Sequence, residues 1–261
     1  MSVDTQAITK LREITGAGIV DCKTALEEVG GDIDKAIEIM RKKGAIKAAK
    51  KSDRVTKEGV IAFAKKDDKV AVVGLACETD FVARNQDFIG SVSDLAAKLL
   101  ELDNIEEFRT WAEEKIKNEL VVKIGENLQL AVVDIVQGSV LGCYLHSNKK
   151  IASVVVLDKG TQDLALDVAM QVVAMSPKCL KPEEVDSDEL KKEKEIYRVQ
   201  LKNEGKPEAM WDKIVEGKVN KFYTDVCLLK QAFIKDDKKS IEKLLAENNA
   251  AVIEDYKRYQ I

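Results

Sequence analysis

An internal repeat is the feature of this chain that most constrains its fold. Two apolar runs at residues 60–64 and 70–77, separated by KKDDK, predict a β-hairpin, and a helix follows. The same order recurs at residues 140–145 and 151–157, which flank SNKK and precede a second helix. The pattern therefore predicts an α+β fold with two related hairpin-plus-helix core subdomains.

The two copies differ in the connection from strand to helix. Phe88 and Leu164 occupy equivalent positions on the two helices, but the first copy has extra residues within ETDFVARNQ. The second copy connects its strand to its helix with the polar turn DKGTQ, so the fold does not require the longer connection. Two interpretations of Phe81 stay open. The ring either folds back as a plug at the strand end or is held outward, between Asp80 and Arg84, to enter a crevice of a partner.

The N-terminal segment predicts three short helices. Apolar stripes at helical spacing are separated by TGAG and by Gly30-Gly31. Asp32 has the position of an N-cap, and the third helix is expected to end at Gly44. We interpret the basic run 42–57 as a solvated linker rather than an RNA site, because it has no aromatic residue to stack on bases.

Two long charged helices are predicted after SPKCLKP, at residues 183–203 and 207–223. Their apolar residues form narrow seams, with Leu190, Tyr197 and Leu201 on one helix and Trp211, Val215 and Phe222 on the other. Pro207 suits the first position of the second helix. The pattern favours an inserted antiparallel helical hairpin, or coiled coil. The tail predicts a short strand at 225–234, a helix at 240–247 and a last strand at 251–256.

Together these segments predict four parts. They are a three-helix N-terminal domain with the basic linker (1–52), a first core subdomain (53–138), a second core subdomain (139–182 and 225–261) and the helical hairpin (183–224).

Composition and termini exclude several classes of protein. The net charge of −4 gives no general attraction to nucleic acid or to an anionic membrane, so binding to nucleic acid is not expected. No apolar run approaches the roughly 20 residues that cross a bilayer. The start, MSVDTQAITK, lacks the apolar core of a signal peptide, so we expect a cytoplasmic protein.

Residues that perform chemistry are sparse. The cysteines at 22, 77, 143, 179 and 227 form no C-x-x-C pair, which argues against a disulfide framework or a zinc site and favours reduced, mostly buried thiols. The single histidine, His146, lies at a strand end without an obvious catalytic partner. No glycine loop of a phosphate-binding type occurs. The sequence argues against an enzyme and predicts no metal, cofactor or small-molecule substrate.

Several motifs together resemble the bacterial translation elongation factor Ts family. They are LREITGAGIVDCKTALEEVGGDIDKAIEIMRKKG at 11–44, TDFVARN at 79–85, KIGEN at 123–127 and GKPEAMWDKIVEGKVNKF at 205–222. The resemblance implies a ubiquitin-associated-like N-terminal domain, two related core subdomains and an inserted helical hairpin. It also implies guanine-nucleotide exchange on elongation factor Tu, in which GDP is released so that GTP can bind.

The resemblance further implies roles for individual residues. Phe81, supported by Asp80, would push between two helices of the GTPase domain of elongation factor Tu and disturb its Mg²⁺ and phosphate site. A second domain of that partner would also be contacted. The partner-binding residues implied in this way are Thr79, Asp80, Phe81, Val82, Arg12, Ile19, Val20, Lys23, Ile124, Gly125 and His146.

One alternative function stays open beside this one. The chain could be a non-exchanging scaffold or RNA-associated module that binds through its N-terminal helices and basic linker. The sequence also does not decide between a monomer and a homodimer.

Overall fold

The structure is a computed structural model that describes the backbone of residues 4–261 and the side chains of residues 4–44 and 51–261. The chain divides into two compact units. The first runs to Gln137 and includes Leu145–Ile151 and Tyr259–Ile261, and the second comprises Gly138–Tyr144 and Ala152–Arg258. Helices and small antiparallel sheets occur together, so the α+β class is confirmed. The division into four parts stays a prediction.

Three helices open the first unit: α1 (Thr5–Thr15), α2 (Ile19–Glu28) and α3 (Ile33–Lys51). Asp32 caps α3 as expected, because its carboxylate accepts a hydrogen bond from the Lys35 N–H. The helices bury a common core of Leu11, Ala17, Cys22, Ala25, Leu26, Ala36 and Met40.

The predicted end of the third helix is wrong, since α3 passes through Gly44 and continues to Lys51. Gly44 is buried, and a Cβ atom there would overlap with the side chain of Val122. This glycine therefore allows a close approach between α3 and the core rather than marking a stop. The predicted linker is correspondingly shorter, and the side chains of its residues 45–50 lie outside the described part of the chain.

The core of the first unit is a three-stranded antiparallel sheet covered by helices. Its strands are β1 (Glu58–Lys66), β2 (Lys69–Cys77) and β3 (Gln129–Gln137), with β2 in the centre. A one-turn helix, α4 (Asp80–Ala83), is followed by α5 (Gln86–Leu102), α6 (Ile105–Lys115), a π-helical turn (Ile116–Leu120) and α7 (Val121–Ile124). Alternate residues of β1 and β2 pack against the apolar faces of α5 and α6.

The second unit contains the other hairpin followed by a helix. Its elements are β4 (Val140–Leu145), β5 (Ile151–Leu157), α8 (Gln162–Met175), α9 (Ser187–Asn203), α10 (Trp211–Val226), β6 (Ala232–Phe233), β7 (Asp236–Ser240), α11 (Ile241–Glu247) and β8 (Ile253–Gln260). The strands form a β4-β5-β8 sheet and a β6-β7 pair. That the two hairpin-plus-helix segments are related subdomains stays a prediction.

Three details of the predicted C-terminal half are wrong. Most of residues 225–234 is not strand, because α10 runs to Val226 and the apolar residues after it form a buried 3₁₀ turn (Leu228–Lys230). Pro207 does not begin α10 but precedes a separate 3₁₀ turn, Glu208–Met210. Tyr223, and not Phe222, lies in the seam between α9 and α10, since Val215, Val219 and Tyr223 recur every fourth residue.

The helices α9 and α10 pack against each other through few buried residues. Leu201, Val215 and Val219 are buried in the seam, and the side chains packed around them are Leu190, Tyr197, Trp211, Ile214 and Tyr223. No helix of the described residues is long and apolar enough to cross a membrane.

Candidate functional site

Phe81 lies on α4 with its ring in solvent. The side chain is 84% exposed. The two residues that follow it, Val82 and Ala83, pack against the core of the first unit. A single helical turn thus directs Val82 and Ala83 inward and Phe81 outward. The interpretation of Phe81 as a plug at the strand end is therefore wrong.

Hydrogen bonds fix α4 at both of its ends. Thr79 is its N-cap, and the Thr79 hydroxyl accepts a hydrogen bond of 3.4 Å from the Val82 N–H. At the other end the Asn85 N–H donates to the Val82 carbonyl at 3.0 Å, and the Asn85 side chain caps α5 by accepting from the N–H groups of Asp87 and Phe88. The strand end, the turn and the next helix therefore form a continuous hydrogen-bonded path.

Glu126 holds the beginning of this path from a distant part of the chain. Its carboxylate accepts hydrogen bonds from the Glu78 N–H at 2.9 Å and the Thr79 N–H at 3.1 Å. The Thr79 hydroxyl donates a third at 2.5 Å. The sequence motifs did not single out Glu126, although it lies within KIGEN, because nothing local connects it with Thr79, which is 47 positions away.

A second carboxylate joins the linker to the same region. Glu78 accepts a hydrogen bond of 2.6 Å from the Asn127 N–H and pairs with Arg54 at 3.4 Å. The buried Asn127 amide in turn donates to the Arg54 carbonyl at 2.8 Å. The Phe81 turn is thus fastened to the segment that precedes β1.

Opposite charges lie beside the exposed ring. Asp80 and Arg84 form an ion pair of 3.2 Å, and the Arg84 side chain is 82% exposed. Surface pairs of this kind contribute little to stability. Both groups are therefore available to a partner at small cost to the fold.

His146 begins a turn that is also joined to the first sheet. It is half-buried, and its Nδ1 accepts a hydrogen bond of 3.5 Å from the Asn148 N–H. Lys150 anchors the turn, because its Nζ donates to the Lys57 carbonyl at 2.9 Å and pairs with Glu58 at 3.2 Å.

A cleft of about 490 Å³ lies between α4 and this turn. Its walls come from α4, from α5, from β1 and from the residues that follow His146. They are Asp80, Ala83, Arg84, Gln86, Ile89, Glu58, Gly59 and Ser147, Asn148, Lys149 and Lys150. The structure therefore brings the Phe81 turn and the His146 turn to one surface, which their separation in sequence did not reveal.

The other predicted residues occupy two further places. Arg12, Ile19, Val20 and Lys23 are exposed on α1 and α2, where Ile19 and Val20 are 57% and 77% exposed. Ile19 and Val20 form an apolar pair on the surface of the three-helix bundle. None of the four residues lines the cleft.

Ile124 and Gly125 lie nearer to the Phe81 turn. Ile124 is half-buried against the core of the first unit. Gly125 ends α7 with a φ of 83°, which favours glycine, and its N–H donates to the Val121 carbonyl at 2.9 Å. The Gly125 carbonyl accepts a hydrogen bond from the Lys51 ammonium. This helix end places the Glu126 carboxylate within hydrogen-bond distance of Thr79.

The site contains no obvious reactive group. Burial, followed by the carboxylates of Glu126 and Glu58, raises the pKa of the Cys77 thiol to about 12, so this residue stays protonated at neutral pH. Among the described residues, no three acidic, cysteine or histidine side chains are placed to hold a metal ion. The site thus consists of an exposed aromatic ring, an ion pair beside it and a polar cleft.

Comparison with known proteins identifies the family. The family model for elongation factor Ts matches residues 78–261, which include the Phe81 turn, β3 and every later helix and strand of the chain. The chain is 44% identical to an elongation factor Ts of Hydrogenobaculum sp. (strain Y04AAS1), over 97% of this chain and 96% of the relative. It is 41% identical to an elongation factor Ts of Clostridium botulinum (strain Eklund 17B / Type B), over 94% of this chain and 86% of the relative. The chain therefore belongs to the elongation factor Ts family of translation elongation factors.

Proposed function

We propose that this chain is a guanine-nucleotide exchange factor that binds elongation factor Tu with GDP and promotes release of the GDP. Membership of the family supports the identity of the partner. The observation that carries the mechanism is the ring of Phe81, which is 84% exposed on a turn fixed at both ends. The chain itself makes and breaks no covalent bond in this function.

In the proposed mechanism Phe81 enters between helices of the partner's GTPase domain. Burying a Phe side chain is worth about 1.5–3 kcal/mol. If that energy is realised only when the helices have moved, it weakens the hold of the partner on its Mg²⁺ and GDP by roughly 10-fold to 100-fold. Asp80, at the base of the same turn, supports the contact.

Additional contacts extend the proposed interface. The exposed pair Ile19 and Val20, with Arg12 and Lys23 beside it, offers a second surface. The turn after His146 adjoins the Phe81 turn across the cleft. A specific interface buries about 1,600 Å² in total, more than one ring can supply, so several surfaces must act together. We assign them to the GTPase domain and to a second domain of the partner.

The test is the rate at which elongation factor Tu releases fluorescent GDP. Wild-type chain should accelerate this release, and Phe81→Ala should reduce the acceleration by roughly 10-fold to 100-fold, since the wedge is lost. Val252→Ala removes another exposed apolar side chain, 55% exposed in the second unit, and should act as wild type.

Two outcomes would contradict the mechanism, and a third would contradict exchange by this chain. Full acceleration by folded Phe81→Ala would show that the ring is not the wedge. A large fall in melting temperature for Phe81→Ala would show that the ring supports the fold. Absence of acceleration by the wild-type chain, with binding to elongation factor Tu retained, would favour the non-exchanging scaffold.

A further inference from the structure

Two cysteines of the second unit have their sulfur atoms in contact. The Sγ atoms of Cys179 and Cys227 are 3.4 Å apart. Their backbones are also paired, because the Leu228 N–H donates to the Cys179 carbonyl at 2.9 Å and the Cys179 N–H donates to the Val226 carbonyl at 3.3 Å. The contact is therefore fixed by the backbone and does not depend on a chance arrangement of two side chains.

The pair lies where the helical hairpin leaves and rejoins its unit. Cys179 precedes α9, and Cys227 directly follows α10. The two residues are 48 positions apart, so a bond between them would close a loop that contains both helices. A seam with only three buried residues holds these helices together.

We propose that Cys179 and Cys227 are a redox-active pair, in which a peroxide joins the two sulfur atoms in a reversible disulfide that closes the base of the helical hairpin. The spacing of the cysteines argued against a disulfide framework, and nothing in that spacing indicated this pair. Both thiols are free in the structure, so the proposal concerns a response to oxidant and not a permanent link.

The reaction balances in two steps. The Cys179 thiolate attacks one oxygen of hydrogen peroxide, which gives a sulfenic acid on Cys179 and, after the proton is returned, one water. The Cys227 sulfur then attacks the sulfenic sulfur, forms the S–S bond and releases a second water. Peroxide takes up the two electrons that the two thiols lose. A small thiol such as glutathione returns them by exchange.

Exposure decides which sulfur reacts first. Cys179 is half-exposed, whereas Cys227 is buried. Burial, followed by Cys179 and the acids Glu183 and Glu184, raises the pKa of Cys227 to about 12. Cys227 is therefore a poor first nucleophile, and contact with Cys179 compensates for this in the second step.

Peptide mapping tests the proposal on the full chain. The reduced protein is treated with a few equivalents of hydrogen peroxide, its remaining thiols are alkylated, and it is digested without reductant for mass spectrometry. A peptide that links Cys179 to Cys227 should form in wild type and in the control Cys143→Ser, and dithiothreitol should remove it. The link should be absent from Cys179→Ser and Cys227→Ser. The first of these replaces a half-exposed residue, so the test remains valid if the second fails to fold.

Thermal unfolding gives a second readout. Closing a loop of 48 residues restricts the unfolded chain, so oxidised wild type should melt on the order of 10 °C above the reduced protein. Cys179→Ser should show no such shift. Any of three results would overturn the proposal: no linked peptide, Cys179 oxidised only to sulfinic acid, or a link found only between chains in a mixture of isotope-labelled and unlabelled protein.

Discussion

Glu126 is the residue that connects the Phe81 turn with the rest of the first unit. It accepts two backbone hydrogen bonds and one hydroxyl hydrogen bond, all from residues 78–79. A carboxylate that accepts from N–H groups makes stronger hydrogen bonds than a neutral amide does. The position of the Phe81 turn therefore depends on a side chain that does not line the cleft.

We expect Glu126→Gln to weaken both the fold and the proposed exchange activity. A glutamine can keep its one oxygen on the two N–H groups, but it loses the negative charge, and its NH₂ group would stand where the Thr79 hydroxyl now donates to a carboxylate oxygen. The free energy of unfolding should therefore fall by about 1–3 kcal/mol. Release of GDP from elongation factor Tu should slow severalfold, because the turn is held less firmly. Chemical unfolding and the release assay measure the two effects.

Glu113→Gln is the matched control for this change. The Glu113 side chain is 61% exposed and pairs with Lys117 on the surface of α6 and the π-helical turn. Its replacement should change stability by less than about 0.5 kcal/mol. Equal effects of the two substitutions would contradict a positioning role for Glu126.

At the scale of the element, the pair α9 and α10 is held together by a narrow apolar seam. Few buried side chains hold it, and local opening occurs most easily where buried apolar contacts are few. Leu201 is the most deeply buried of them, at 1% exposure.

Leu201→Ala should separate α9 from α10 before the rest of their unit unfolds. Loss of a buried Leu side chain costs about 2–5 kcal/mol of folding free energy. This loss exceeds the free energy by which so narrow a seam holds the two helices together. Limited proteolysis should then cut within α9 or α10 at temperatures where wild type resists. Ile196→Ala removes an exposed residue of the same helix, 47% exposed, and should leave the cleavage pattern unchanged. Resistance of Leu201→Ala to protease would show that other contacts hold the helices.

Local patterns explain which elements the sequence could predict. The hairpins at β1-β2 and β4-β5 follow from alternating or continuous apolar runs beside short polar turns. β3 was not predicted, because it is only partly buried and owes its place to pairing with β2, far away in sequence. Gly44 gave a false stop signal, since the glycine serves a close contact with Val122 and not a helix end.

The candidate site could also be predicted only in part, because some of its contacts join segments that are far apart in sequence. The extra residues around Phe81 could be recognised from the repeat, but the repeat alone left the direction of the ring open. Val82 and Ala83 decide that direction by packing inward. Glu126 and the cleft depend on contacts between distant segments, and a single sequence carries no signal for them.

At the scale of the whole molecule, exchange requires a coupling that acts in both directions. If this chain weakens the binding of GDP to elongation factor Tu by some factor, GDP must weaken the binding of the chain by the same factor. The affinity of the chain for nucleotide-free elongation factor Tu should therefore exceed its affinity in saturating GDP.

Calorimetric titration can measure this ratio. For wild type we expect at least a 10-fold difference between the two conditions, and for Phe81→Ala a smaller one, since the ring supplies part of the coupling. Val252→Ala serves again as the control. An affinity that is the same with and without GDP would contradict exchange by this chain, whatever surface it uses for binding.

The capped turn that carries Phe81 also has a kinetic consequence. Ordering the backbone of a flexible loop costs about 1–2 kcal/mol of conformational entropy for each residue. In α4 this loss has occurred during folding, with Thr79 and Asn85 at its two ends. In the proposed mechanism the ring would therefore meet elongation factor Tu without a slow search among loop conformers, and we expect diffusion and orientation of the two molecules to govern the association rate.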